Sequence, residues 1–133
     1  MEKFDFEYEM AVRDYECDMQ GIVNNSVYQN YLEHTRHQYL KSIGLDFTEL
    51  TEKEINLMVI RVEIDYKASL KSGDKFTSAL RMERISALRF GFVQRIFRKS
   101  DNNLMIKALV IGTSVNEQGR PKLPQELIDV WGI

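Results

Sequence analysis

"VRDYECDMQGIVNNSVYQNYLEHTRHQYLKSIGL", residues 12 to 45, decides how this chain is read. Tyr28, Tyr31, Leu32, Thr35, Tyr39 and Ile43 recur at steps of three and four. That spacing predicts one buried stripe on a helix of about five turns beginning near Ser26. Asn25 or Ser26 is placed to cap its start, and Gly44 to end it as a left-handed residue. Before the helix lies a loop of polar residues and glycine, "DMQGIVNN", in which Asp18 stands just ahead of Gly21. Asp commonly builds such turns with its own side chain. A carboxylate aimed at a helix amino end is also a chemical tool.

Upstream the period is two. Phe4, Phe6, Tyr8, Met10 and Val12 alternate with Asp5, Glu7, Glu9 and Arg13, which predicts a strand with one wet face. Downstream, 45–54 reads as a loop with one helical turn. Four strand-like runs follow, at 55–67, 75–84, 89–99 and 104–115. Ser72-Gly73-Asp74 and Asp101-Asn102-Asn103 mark turns between them. The run from Leu104 to Ile111 is apolar on both faces except at Lys107, which predicts an interior strand. Pro121 and Pro124 punctuate the tail, with a short helix expected from Pro124 to Trp131. One five-turn helix cannot cover both faces of a five-stranded sheet. Layer packing therefore predicts an α+β domain spanning 1–133, with the helix on one face of a curled antiparallel sheet. Pairing with a second copy would cover its open edge.

Composition narrows the function classes. With 133 residues, 44% hydrophobic and 29% charged, the chain can bury one independent core. A net charge of −2 supplies no basic field for nucleic acid or an anionic membrane. The single cysteine, Cys17, excludes an intrachain disulfide and a four-thiolate zinc site. The acidic, broken start MEKFDFEYEM does not read as a signal peptide, so a cytoplasmic location is expected.

With motif and element order together, the chain resembles the hot-dog-fold acyl-CoA thioesterases, specifically the 4-hydroxybenzoyl-CoA thioesterase-like group. Residues 12–45 look like that family's strand, Asp-x-x-Gly-Ile/Val-Val loop and Tyr-x-x-Tyr/Phe-hydrophobic-Glu-x-x-Arg helix. "VIRVEIDYKASLKSGD" (59–74) resembles its strand ending in Tyr-x-x-Pro-x-x-x-Gly-Asp. "ALVIGTSVNEQGRPKLP" (108–124) resembles its last strand and Pro-containing tail. The resemblance implies a long central helix wrapped by a curled antiparallel sheet of about five strands. It also implies a homodimer, or a tetramer built from two dimers, with active sites at the dimer interface. The implied reaction is hydrolysis of an acyl-CoA thioester to acid and CoA, with no metal or other cofactor. Acyl-carrier protein is an alternative carrier, and binding of an acyl thioester without turnover is a second alternative.

Site expectations follow residue by residue. The resemblance makes Asp18 the catalytic carboxylate, as nucleophile or general base. It makes the Asn25 backbone N–H the donor to the thioester carbonyl, at a helix start where free N–H groups converge. Many relatives carry His at the position of Asn25, whose amide side chain cannot act as acid or base. Ser69 stands where the family has Pro. Tyr28 is a candidate for lining the acyl pocket or for packing the core. Arg89, with Arg95, Arg98 and Lys99, is a candidate for gripping CoA phosphates. Tyr, Phe and Leu of the helix stripe and of 55–67 are expected to wall the acyl pocket. Cys17 alternates in direction with Asp18 and has no marked base, so it reads as a bystander thiol. His34 and His37 lack further ligands at recognisable spacing and read as a solvated helix face, with Glu33 paired to Arg36 or His37.

Overall fold

A computed structural model describes residues 2–133. Its elements are β1 (Phe6–Ala11), a 3-10 turn (Asp14–Glu16), α1 (Asn25–Ser42), α2 (Phe47–Glu52), β2 (Asn56–Tyr66), β3 (Lys75–Arg84), β4 (Arg89–Arg98), β5 (Leu104–Val115) and α3 (Gln125–Trp131). The five strands form one antiparallel sheet in the order β1-β3-β4-β5-β2. One long helix on one face of an antiparallel sheet is the α+β arrangement that layer packing predicts, and it matches the hot-dog architecture that the resemblance implies.

Local chemistry accounts for the helix ends. Leu45 N–H donates to Leu40 C=O (2.9 Å) and Gly44 N–H to Lys41 C=O (3.0 Å). This paired closure needs a left-handed residue, and Gly44 supplies it at φ +80°. At the other end the cap is Asn24, one residue earlier than expected. The Asn24 N–H donates to Glu16 C=O (3.1 Å), which holds Asn24 extended and lets the helix begin at Asn25. The single turn expected within 45–54 is α2, capped by the Asp46 carboxylate accepting from Thr48 N–H (2.7 Å).

The helix stripe packs as its spacing requires. Tyr28, Tyr31, Leu32, Thr35, Tyr39 and Leu40 are buried against the sheet. Two apolar clusters divide along α1. Val23, Tyr28, Tyr31, Leu32, Leu70, Phe76 and Ile96 surround its start, while Tyr39, Leu40, Phe90, Phe92, Leu127 and Trp131 surround its end. Between them sits a buried polar seam. The hydroxyls of Thr35 and Ser78 bond at 2.7 Å, and the Gln94 amide donates to Leu32 C=O (3.1 Å). These bonds satisfy polar groups that burial would otherwise penalise, and they fix the helix over β3 and β4.

The two edges differ. β1 alternates half-buried and exposed residues, as read from its period. β2 is the more open of the two: Met58, Val59, Ile60 and Val62 are each 40% or more exposed. Their burial is lost because β2 is an outer strand that has only β5 beside it. β5 lies between β4 and β2, in the interior as its composition required.

Candidate active site

The Asp18 loop is held by its own backbone and by two neighbouring segments. Asp18 N–H donates to Ile22 C=O (2.9 Å) and Gly21 N–H to Asp18 C=O (3.0 Å). Gly21 turns the chain at φ +81°, where a side chain would be strained. Val23 N–H donates to Leu70 C=O (3.0 Å), and Ile22 bridges Lys71, so the loop after β2 backs the whole turn. That loop is itself tied down by Tyr28, whose hydroxyl accepts from Leu70 N–H (2.9 Å). On the other side Tyr31 donates to the Glu16 carboxylate (2.8 Å), bracing the 3-10 turn against α1.

Asp18 divides its two oxygens. Oδ1 accepts from Gln20 N–H (2.8 Å) and more weakly from Ile22 N–H (3.4 Å), which is the turn-building role. Among the described residues Oδ2 receives no hydrogen bond, and the side chain is exposed. The carboxylate is thus oriented by one oxygen and presents the other. Seven residues on, α1 begins without a side-chain cap on its first turn. Among the described residues the N–H groups of Asn25 and Ser26 have no internal acceptor. The positive end of the helix dipole lies at these groups. Asn25 is the first helical residue, so its N–H is one of the donors that the helix itself cannot satisfy.

Other sequence-picked residues lie elsewhere. Tyr28 is 1% exposed and belongs to the core, where burial pushes its phenol up. The expected basic cluster is dispersed. Arg95 pairs with Glu2 (3.1 Å), Arg98 with Asp101 (2.6 Å) and Lys99 with Glu9 (2.8 Å). Arg89 is exposed at the opposite end of β4 from Arg98, about 30 Å away at strand rise. The Arg98 end is the one beside the Asp18 loop, through Lys99 to Lys75 and Asp74 to Val12. One protomer therefore does not bring Arg89 to Asp18. The Cys17 thiol lies 3.9 Å from Arg13 C=O, and burial and the acidic neighbours Asp18, Glu16 and Asp14 push it up. That disfavours the thiolate, the form in which cysteine acts as a nucleophile. His34 packs on Tyr8 and His37 on Phe47, so the two rings serve different sides of the helix.

Two further features lie at the helix start and along the helix. Tyr66, at the end of β2, donates to Asn25 C=O (3.4 Å) and packs on Tyr28, which places an aromatic ring beside the helix start. The second is a cavity of about 350 Å³ along α1. Its strand wall includes Leu57, Val59 and Val62, as expected of that run. Its helix wall is not the aromatic stripe, which the core has taken, but Gln29, Glu33, Arg36 and Leu40. Those four also follow helical spacing, and a second, mostly polar stripe was the available signal. Arg36 lies over the Phe92 ring (5.8 Å) and donates to Gln94 (3.1 Å), while Glu33 approaches His37 at 3.8 Å.

The structure thus offers an exposed carboxylate in the loop before α1, backbone donors at the helix start and a cavity that begins one turn further along the helix. Residues 12–130 match the Thioesterase-like superfamily. The chain belongs to that superfamily. It is 35% identical over 122 residues to ATL3, a chloroplastic acyl-acyl carrier protein thioesterase of Arabidopsis thaliana, covering 91% of this chain and 64% of that protein. It is 25% identical over 120 residues to the acyl-CoA thioesterase YbgC of Haemophilus influenzae, covering 88% and 85% of the two chains. In fold it is similar to the crystal structure of Slr0204, a 1,4-dihydroxy-2-naphthoyl-CoA thioesterase from Synechocystis. That superposition has a TM-score of 0.88 at 21% identity and covers 96% of this chain and 95% of the other. As a thioesterase-superfamily member, the chain spans just under two thirds of the length of the plant relative.

Proposed function

We propose that this protein hydrolyses acyl-CoA thioesters, with Asp18 as the only side chain acting directly on the thioester. The observation that carries the proposal is the division of labour at Asp18: Oδ1 is held by Gln20 N–H while Oδ2 accepts no hydrogen bond among the described residues. A positioned carboxylate attacks the carbonyl itself or takes a proton from water as water attacks. The Asn25 N–H receives the negative charge that develops on the carbonyl oxygen, aided by the helix dipole. The C–S bond then breaks, the thiolate leaves as CoA and is protonated, and water supplies the oxygen of the acid product. Neither step calls on the amide side chain of Asn25. The test is thiol release from a panel of acyl-CoA substrates. The wild type is expected to turn over and Asp18→Asn to remain folded and lose that turnover. Undiminished hydrolysis in Asp18→Asn overturns the assignment.

The likeness to ATL3 favours a second reading, in which the carrier is acyl-carrier protein. Comparing kcat/KM for one acyl group on the two carriers separates them.

The second copy that the family resemblance implies is proposed to pair along β2. This edge is 11 residues long and carries exposed Met58, Val59, Ile60 and Val62. Long apolar edges are ordinarily covered. Replacing both Met58 and Val62 by Lys is expected to convert a dimer to monomer by light scattering. A dimer unchanged in mass places the interface elsewhere.

A further inference from the structure

The cavity along α1 has one closed end, and its closure depends on a glycine that the backbone does not require. Four residues after Asn25, Gln29 opens the helix wall, and Leu40 closes it. That stretch is about 16 Å long at helical rise, beginning about 6 Å from the helix start. At its far end stand Phe90 and Phe92, ring on edge at 5.6 Å and 86°. Phe90 is 1% exposed and its ring is backed by Trp131 at 4.6 Å. Behind them Leu127 is fully buried, so the space stops at Phe90.

Gly112 faces Phe90 across the β4–β5 pair. Its φ is not positive, unlike that of Gly21 or Gly44, so no turn explains it. A Cβ there would lie 2.7 and 2.8 Å from the Phe90 ring and 2.9 Å from Met58 C=O. The backbone oxygen cannot retreat as a side chain can, because the β2–β5 register pairs Val59 with Gly112 just before β2 slips at Ile60. The ring therefore rests in a slot that only glycine leaves open. Any side chain at 112 drives the ring out of that slot.

Resting on the hydrolase reading above, we propose that Phe90 is the residue that limits acyl length, and that Gly112 is the positioning residue that sets how far back its ring sits. The acyl group enters at the helix start, runs between α1 and β2, and ends against the Phe90 ring. The substrate class is a thioester with an apolar acyl chain that extends along most of α1.

The two residues give opposite expected shifts. kcat/KM is measured for wild type, Phe90→Ala, Phe90→Leu and Gly112→Ala on straight-chain acyl-CoA substrates of increasing length. Phe90→Ala and Phe90→Leu are expected to raise the ratio of longer to shorter substrates about tenfold or more. Gly112→Ala is expected to lower it by a similar factor. Tenfold is the lower end of what one methylene is worth in an apolar pocket. A residue that only packs the core would lower melting temperature and leave the ratio alone. If Phe90→Ala fails to fold, Phe90→Leu and Gly112→Ala carry the test. A normal wild-type profile that neither folded variant moves overturns this inference while leaving the hydrolase intact. A wild type that releases no thiol from any substrate overturns the hydrolase reading instead.

Discussion

The two ends of α1 are built on opposite plans. At the start, no side chain among the described residues caps the helix, the Asn25 and Ser26 N–H groups have no internal acceptor among them, and Asp18 in the preceding loop is exposed. Order there comes from backbone hydrogen bonds and from the hydroxyls of Tyr28 and Tyr31. At the end, a complete Schellman closure satisfies the carbonyls, and Phe90, Phe92, Leu127 and Trp131 pack around it. The first end leaves polar groups unpaired where a reaction can use them. The second uses its residues for burial. The contrast shows where the fold tolerates unfilled hydrogen-bonding capacity, which is costly inside a protein and cheap at a solvated cleft.

Four changes would break or sharpen this contrast. Asp18→Asn should produce the largest effect, a loss of turnover on the order of 10²- to 10⁴-fold, the usual span for a positioned acid or base. Asn retains an oxygen that can accept from Gln20 N–H, so the melting temperature should barely move. Leu127→Ala should do the reverse. This fully buried residue sits behind the closed end of the helix, and its truncation should cost about 2–5 kcal/mol by denaturant unfolding. Turnover by the fraction that remains folded should fall far less than in Asp18→Asn.

Tyr28→Phe tests whether the reactive end depends on its braces. It removes the acceptor of the buried Leu70 N–H and should cost about 1–3 kcal/mol. Leu70 and Lys71 hold Val23 and Ile22, so kcat should drop with stability. A stability loss with unchanged kcat would show the Asp18 loop to be self-supporting.

The smallest effect is alkaline. Burial pushes the Tyr39 phenol, at the packed end, up to about 12. The unfolded phenol ionises near pH 10, so the native state is favoured fully below that pH. Stability should fall as pH rises from about 10 toward 12. In Tyr39→Phe that part of the decline should be shallower, as read by unfolding midpoints across the range.

The order of the five strands and of the three α-helices was legible in the residues, though the 3-10 turn at Asp14–Glu16 was not, because periods of two and 3.6 and the turn chemistry of Gly44 and Gly73 act over a few positions. The cap was misplaced by one residue since Asn24 is held by Glu16, a partner outside the helix. β2 was legible as a strand, but its place at the edge, which leaves most of its middle exposed, was not. The helix stripe of Tyr28, Tyr31, Leu32 and Tyr39 packs on the sheet, which leaves Gln29, Glu33 and Arg36 to face the cavity, and no local period says which of two helical stripes the sheet will take. Arg89 and Arg98 look near each other as a cluster in one dimension. An extended strand separates them by its whole length.

By itself, then, the chain's sequence determined one long helix, five strands, and an Asp-x-x-Gly loop ahead of the helix start. Those depend on local periodicity and on residues that permit or forbid particular backbone angles. The tertiary structure alone decided which strand is an exposed edge, which oxygen of Asp18 is free, and which glycine makes room for Phe90. Each of these depends on atoms far apart in the chain meeting within a few ångströms, and no local pattern encodes such meetings.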